Sequence, residues 1–147
     1  MKEYKYLVVP VVTLIVAQIL KFTIESIQDK ELKWGRLLNG SGGMPSSHGS
    51  FSFSLTMMIG LNEGFSSVLF AVALVFSLII AYDAIGVRLE SEKHAQALNQ
   101  ISKEIFSKNY KAGFAHLKEE LGHNILEILG AYILATLSAL FFTYVVF

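Results

Sequence analysis

An all-α integral membrane helical bundle is the fold class this sequence predicts, with about four membrane-spanning helices plus an amphipathic cytoplasmic helix. Three observations carry it. Of the 147 residues, 53% are apolar and only 16% charged, against about 25% charged in soluble domains, and the mean hydropathy is +0.51. Four long apolar segments follow one another along the chain, and about 20 such residues cross a bilayer core. Between the last two lies a charged stretch whose apolar residues recur at helical spacing. Residues 1–147 read as a single membrane-embedded domain by length.

The first segment runs from Tyr6 to about Ile27, interrupted by Gln18, Lys21 and Glu25. It is too long for the apolar region of a signal peptide and no small-residue cleavage site follows, so it reads as a retained transmembrane helix. The second, about Ser46 to Leu61, is short and starts in a glycine-rich turn, which makes it marginal as a span. The third, Phe65 to about Arg88, is the clearest, with Ser66 or Ser67 as its cap. The fourth runs from about Leu121 to Phe147. Gln28 to Gly43 is a charged loop. In the stretch from Arg88 to Glu120, Ala95, Leu98, Ile101 and Ile105, then Phe114, Leu117 and Leu121, predict one or two amphipathic helices on the membrane face.

If all four segments cross, the 28–43 loop and the 88–120 stretch share a side. That side carries Lys30, Lys33, Arg36, Arg88, Lys93, Lys103, Lys108, Lys111 and Lys118, and the other only Lys2 and Lys5. The richer side is then cytoplasmic and both termini extracytoplasmic, the expectation being a plasma membrane protein. His48, Arg88, His94 and His123 converge on that one surface. The 12 basic and 12 acidic residues cancel, so nothing points to nucleic acid, and the absence of cysteine excludes disulfides and thiolate chemistry.

The turn Gly42-Gly43-Met44-Pro45-Ser46-Ser47-His48 holds the most chemistry. It opens a helix, whose unpaired N–H groups and positive dipole end suit an anion, above all phosphate. At a membrane edge that means a lipid-borne phosphate. Read blandly, the glycines and proline make a tight connection and Ser46 caps a helix, but His48 there is placed to give a proton to a leaving oxygen. Asp83, an acid in an apolar span, is either a site residue or a charge partner that ties helices together. Arg88 either marks a helix end or grips phosphate oxygens with its fork. Lys21 pairs with Glu25 at i, i+4 and is expected to snorkel to the interface, the alternative being a charge aimed into the bundle. His123 and Glu127 stand at i, i+4, so that the carboxylate can hold one ring nitrogen while the other faces a substrate. Gln96 and Asn99 read as structural, and His116 as a surface histidine.

These residues together resemble the divergent branch of the type 2 phosphatidic acid phosphatase family, related to the vanadium-dependent haloperoxidases. The likeness spans nearly the whole chain. It covers Ala17-Gln18 through Lys21, Gly40 through His48, Tyr82-Asp83-Ala84 with Gly86-Val87-Arg88, Gln96 through Asn99, and Leu121-Gly122-His123 with Leu126-Glu127. The parent superfamily has three signatures: Lys-x6-Arg-Pro, Pro-Ser-Gly-His, and Ser-Arg-x5-His-x3-Asp. Pro45 to His48 match the second, with Ser47 in place of glycine. Lys21 and Arg36 are the nearest counterparts of the first. The third is split: Arg88 reaches His94 but meets Leu98 where the acid belongs, while His123 has Glu127 but Leu117 in place of the arginine.

The resemblance implies metal-independent hydrolysis of a phosphate monoester or diphosphate, without a cofactor. His123 would attack phosphorus with Glu127 supporting it, His94 being the reserve nucleophile. His48 would protonate the leaving oxygen. Arg88, Lys21, Arg36 and the N–H groups of Ser46 and Ser47 would hold the phosphate. The expected substrate is a lipid phosphate or prenyl diphosphate among membrane lipids, and the reading leaves room for a homo-oligomer. Two alternatives stand: a non-catalytic binder of phospholipid or polyprenyl-phosphate headgroups, and a small transporter using Lys21, Glu25 and Asp83.

Overall fold

The computed structural model describes residues 4–32, 34, 42–106, 116–119 and 121–147. Among them are five α-helices and no strand: α1 (Lys5–Asp29), α2 (Ser47–Glu63), α3 (Val68–Ile85), α4 (Val87–Phe106) and α5 (Ile125–Phe141), the last extended by a π-type turn, Phe142–Val146. Among the described residues three helical runs are long and apolar enough to cross a bilayer: Lys5–Asp29, the run Val68–Glu104 that contains α3, and Ile125–Val146.

The shorter α2 lies in the middle, packed against α1, α3 and α5. Its 17 residues make about 25 Å at roughly 1.5 Å each. It runs antiparallel to α1. Lys5 and Tyr6 donate to Asn62 and Glu63 at one end, while Gly43 lies against the Lys21 and Glu25 side chains at the other. With α5 it runs parallel. Ser46 N donates to Glu127 O at 3.1 Å at the start, and Asn62 Nδ2 lies 3.5 Å from Thr143 Oγ1 at the finish. The hydroxyls of Thr56 and Ser77, 2.7 Å apart, tie α2 to α3.

Small side chains make this central position possible, because they let helix backbones approach closely where lipid gives no hydrophobic drive. A methyl group added at Gly49 would stand 3.1 Å from Ala131 Cβ, and Ala131, Ala135 and Ala139 are all fully buried on α5. The hydroxyls of α2 are met largely by carbonyls of its own preceding turn: Ser52 bonds Gly49 O, Ser54 bonds Phe51 O and Thr56 bonds Ser52 O. By contrast α3 buries only Ser77, Ala81 and Ala84. It leaves Leu69, Val72, Phe76 and Ile79 exposed, an apolar face fit for lipid.

Caps set the helix starts. The Ser67 hydroxyl accepts from Phe70 N at 3.2 Å, so Ser67, of the two candidates, begins α3. At Gly86 the chain turns out of α3 into the amphipathic α4. The described residues after α4 correct the sequence expectation: 116–119 and 121–124 are not helical, although Leu117 and Leu121 continue the apolar spacing. Side chains of α4 claim their backbone instead. Asn99, buried, donates to Leu117 O at 2.8 Å and accepts from Leu117 N at 3.0 Å. That is the structural role expected of it. Gln96 donates to Glu92 Oε1 at 3.4 Å.

Candidate active site

The antiparallel order gathers the C-terminal ends of α1 and α3 and the N-terminal ends of α2 and α5 at one end of the bundle. His48, Lys21, Asp83, Arg88, His123 and Glu127 arrive there from five different stretches of chain.

The glycine turn is built for close approach. Gly42 and Gly43 both take positive φ, 77° and 78°, which residues with a Cβ rarely adopt. A Cβ at Gly43 would also fall 2.4 Å from Glu25 Oε1. Met44-Pro45 is a cis peptide bond. Ser46 then caps α2, its hydroxyl accepting from Gly49 N at 3.3 Å. Ser47 and Ser50 are buried, and their hydroxyls have no hydrogen-bond partner among the described residues. His48 stands exposed at the end of the bundle, where Arg88, His123, Lys21 and Asp83 all act on it electrostatically.

His123 precedes α5 by two residues and is 5% exposed. Its N–H donates to Ala84 O at 3.0 Å, which fixes it against the end of α3. Its Nδ1 lies 2.6 Å from Glu127 Oε2, which leaves Nε2 as the other ring nitrogen. Burial pushes the His123 pKa below the ordinary 6.5, and Glu127 pulls the other way while Lys21 and Arg88 add to the lowering. The net lowering favours the neutral ring, the form in which Nε2 carries a lone pair. Glu127 has a second duty. It forms a capping box with Asn124, whose side chain accepts from Glu127 N at 2.9 Å.

Arg88 Nε meets Asp83 Oδ2 at 2.5 Å across the Gly86 bend. Arg88 is thus the charge partner of Asp83. Lys21 is 1% exposed. It does not snorkel: its stem packs on the glycine turn and its charge acts on both His48 and His123. The short reach from Lys21 to the Gly43 backbone explains this, since α1 continues beyond Lys21 and the turn folds over it. His94 lies on an exposed part of α4 and interacts with Glu90. His116, exposed, sits 3.6 Å from Glu119. Arg36 lies outside the described residues. Among the described residues no group of three or more histidines and carboxylates is arranged to hold a metal ion.

Sequence reasoning missed two parts of this end. The capping box was readable in Asn124-Ile125-Leu126-Glu127. Glu92 was not: its Oε2 accepts from the N–H groups of Leu121 at 3.1 Å and Gly122 at 3.0 Å, a contact across about 30 residues with no local signal.

The fold and this end of the bundle define an integral membrane protein with a cluster of histidine, lysine and arginine at one helix-end surface. The comparisons place it further: residues 2–138 match the divergent PAP2 family, and the chain belongs to that family. It is 34% identical over 125 residues to the uncharacterized membrane protein YuiD of Bacillus subtilis, covering 78% of each chain. No solved structure matches it.

Proposed function

We propose that this PAP2-related membrane protein is a metal-independent phosphatase of a lipid phosphate or prenyl diphosphate, working at the cytoplasmic membrane surface. The observation that carries the reading is the buried His123–Glu127 pair at 2.6 Å, within the electrostatic reach of Lys21, Arg88 and His48. The nine-to-two bias in basic residues supports the cytoplasmic side and extracytoplasmic termini, in the plasma membrane.

In the first step His123 Nε2 forms a bond to phosphorus while the bond from phosphorus to the leaving oxygen breaks. His48, once protonated, gives its proton to that oxygen; burial, with Arg88 next, lowers its pKa below the ordinary 6.5, so this form grows as pH falls. Glu127 accepts from the Nδ1–H and stabilises the positive charge that develops on the ring. Lys21, Arg88 and the N–H groups of Ser47 and His48 offset the charge on the transferring group, the Ser46 N–H expected to join them being taken by Glu127 O. In the second step water attacks the phosphohistidine, its proton passes to the now neutral His48, and the N–P bond breaks to release phosphate and His123.

The test is phosphate release by the purified protein from a panel of lipid phosphates and prenyl diphosphates, with divalent metal chelated. Turnover that is lost in both His48→Ala and His123→Ala is the expected result. Wild-type turnover in either variant would overturn the assignment. A second reading, a non-catalytic binder of such headgroups, draws on Leu117, which stands six residues before His123 where the parent superfamily carries arginine. Tight headgroup binding with no turnover would establish it.

A further inference from the structure

We propose that Glu92 is the positioning residue of the nucleophile, an inference that rests on the hydrolase reading of the same site. Residues 121–124 are not helical, so their N–H groups need partners from elsewhere. One oxygen, Glu92 Oε2, takes two of them, Leu121 N at 3.1 Å and Gly122 N at 3.0 Å. The next N–H, that of His123, goes to Ala84 O at 3.0 Å. Three successive N–H groups are thus fastened to the corner between α3 and α4. Hydrogen bonds to an ionised acceptor are about twice as strong as neutral ones, so Glu92 holds the largest part of this grip.

The corner also carries the phosphate-directed charge. Asp83 and Arg88 bridge it at 2.5 Å. Gly122 fits against it so closely that an added Cβ would fall 2.5 Å from Leu89 Cα, and Leu89 is one turn before Glu92. His123 and Arg88 therefore take their relative placement from one short piece of backbone, and Glu92 is the clasp. Glu92 touches none of the reacting atoms in the proposed mechanism. Its removal acts through the position of His123 alone, and a misplacement of about 1 Å costs on the order of 10²-fold in rate.

The experiment compares Glu92→Ala and Glu92→Gln in the full chain in lipid nanodiscs, reading kcat, KM and amide hydrogen exchange. In Glu92→Ala the expected result is a fall in kcat of about 100-fold with KM within about twofold. Exchange at Leu121 and Gly122 should rise while α2 and α5 keep their protection. Glu92→Gln retains a carbonyl acceptor and should keep kcat within about fivefold of wild type, since it weakens the two bonds without removing them. Wild-type kcat in Glu92→Ala, a loss confined to KM, or equal damage in both variants overturns the proposal. Should Glu92→Ala fail to fold, Glu92→Asp, one methylene shorter, takes its place. The same fall in kcat is then expected, and wild-type kcat overturns the idea. His123→Ala, run alongside, separates the two failures. If it turns over normally, the hydrolase reading falls and this proposal with it. If it is dead while Glu92→Ala is unimpaired, only the positioning role falls.

Discussion

Replacing Gly122 by alanine probes the seating of His123 with the smallest possible change. The added methyl would stand 2.5 Å from Leu89 Cα, 2.8 Å from Leu89 N and 2.9 Å from Leu89 Cβ. Ordinary contact begins at 3.4 Å, so the nearest pair is short by about 0.9 Å. Two of the three atoms are helix backbone, which cannot swing aside as a side chain can. The 121–123 segment must move instead, and His123 moves with it. Overpacking of this kind costs about 1–3 kcal/mol of stability, and a shift near 1 Å at the nucleophile costs on the order of 10²-fold in kcat. Gly60→Ala is the control, since its methyl would meet the Phe65 ring at 2.5 Å, near the opposite end of α2. Thermal melting in detergent and phosphate release in nanodiscs read both effects. Gly122→Ala should lose stability and kcat, whereas Gly60→Ala, whose clash the exposed Phe65 ring can relieve by swinging aside, should change kcat little. Wild-type kcat in Gly122→Ala, or an equal fall in both variants, would refute the reasoning.

The remaining expectations concern the charges around the site. Because burial lowers the His123 pKa below 6.5, the acid limb of the kcat/KM profile assigned to this ring should lie below that value. The unfolded chain takes up this proton first as pH falls, so the associated stability is complete above pH 6.5 and declines below it until the folded ring titrates too. Glu127→Gln removes an influence that raises the His123 pKa, so the limb should move further down. It should lower kcat by about 10- to 100-fold, the worth of one hydrogen bond to a charged group; a limb that moves up would contradict the assignment. His48→Ala should lower kcat/KM, which reports the first step, by about 10²–10⁴-fold with an alkyl leaving group and far less with p-nitrophenolate, which needs no proton. Equal losses on both would remove His48 as the acid. Lys21→Met keeps the buried stem while deleting the charge, so orthovanadate affinity should drop at least about tenfold, one ion-assisted hydrogen bond's worth. Unchanged vanadate affinity would take Lys21 out of the site.

Most of the fold was legible because lipid imposes a strong one-dimensional rule. Long apolar runs from Tyr6, Ser46, Phe65 and Leu121 became helices with boundaries within a few residues, since a backbone in hydrocarbon must satisfy itself. The rule fails where water or side chains can satisfy the backbone instead. Leu117 and Leu121 sit at helical spacing, yet Asn99 and Glu92 take their N–H groups, and no local pattern announces a partner 18 to 29 residues away. The pairing of His123 with Glu127 was legible because i, i+4 neighbours share a helix face. The fate of Lys21 was not, since snorkelling and burial differ only in what folds over the side chain. That cover is the Gly43 turn, supplied from another part of the chain.

The central claim is a covalent phosphate on His123. Rapid quenching of the protein with lipid phosphate labelled on phosphorus should trap label on it that survives alkali, is released by acid, and maps to the peptide containing His123. The His123→Ala variant should carry none. Steady turnover by the wild type with no trapped label, or label undiminished in His123→Ala, would contradict it.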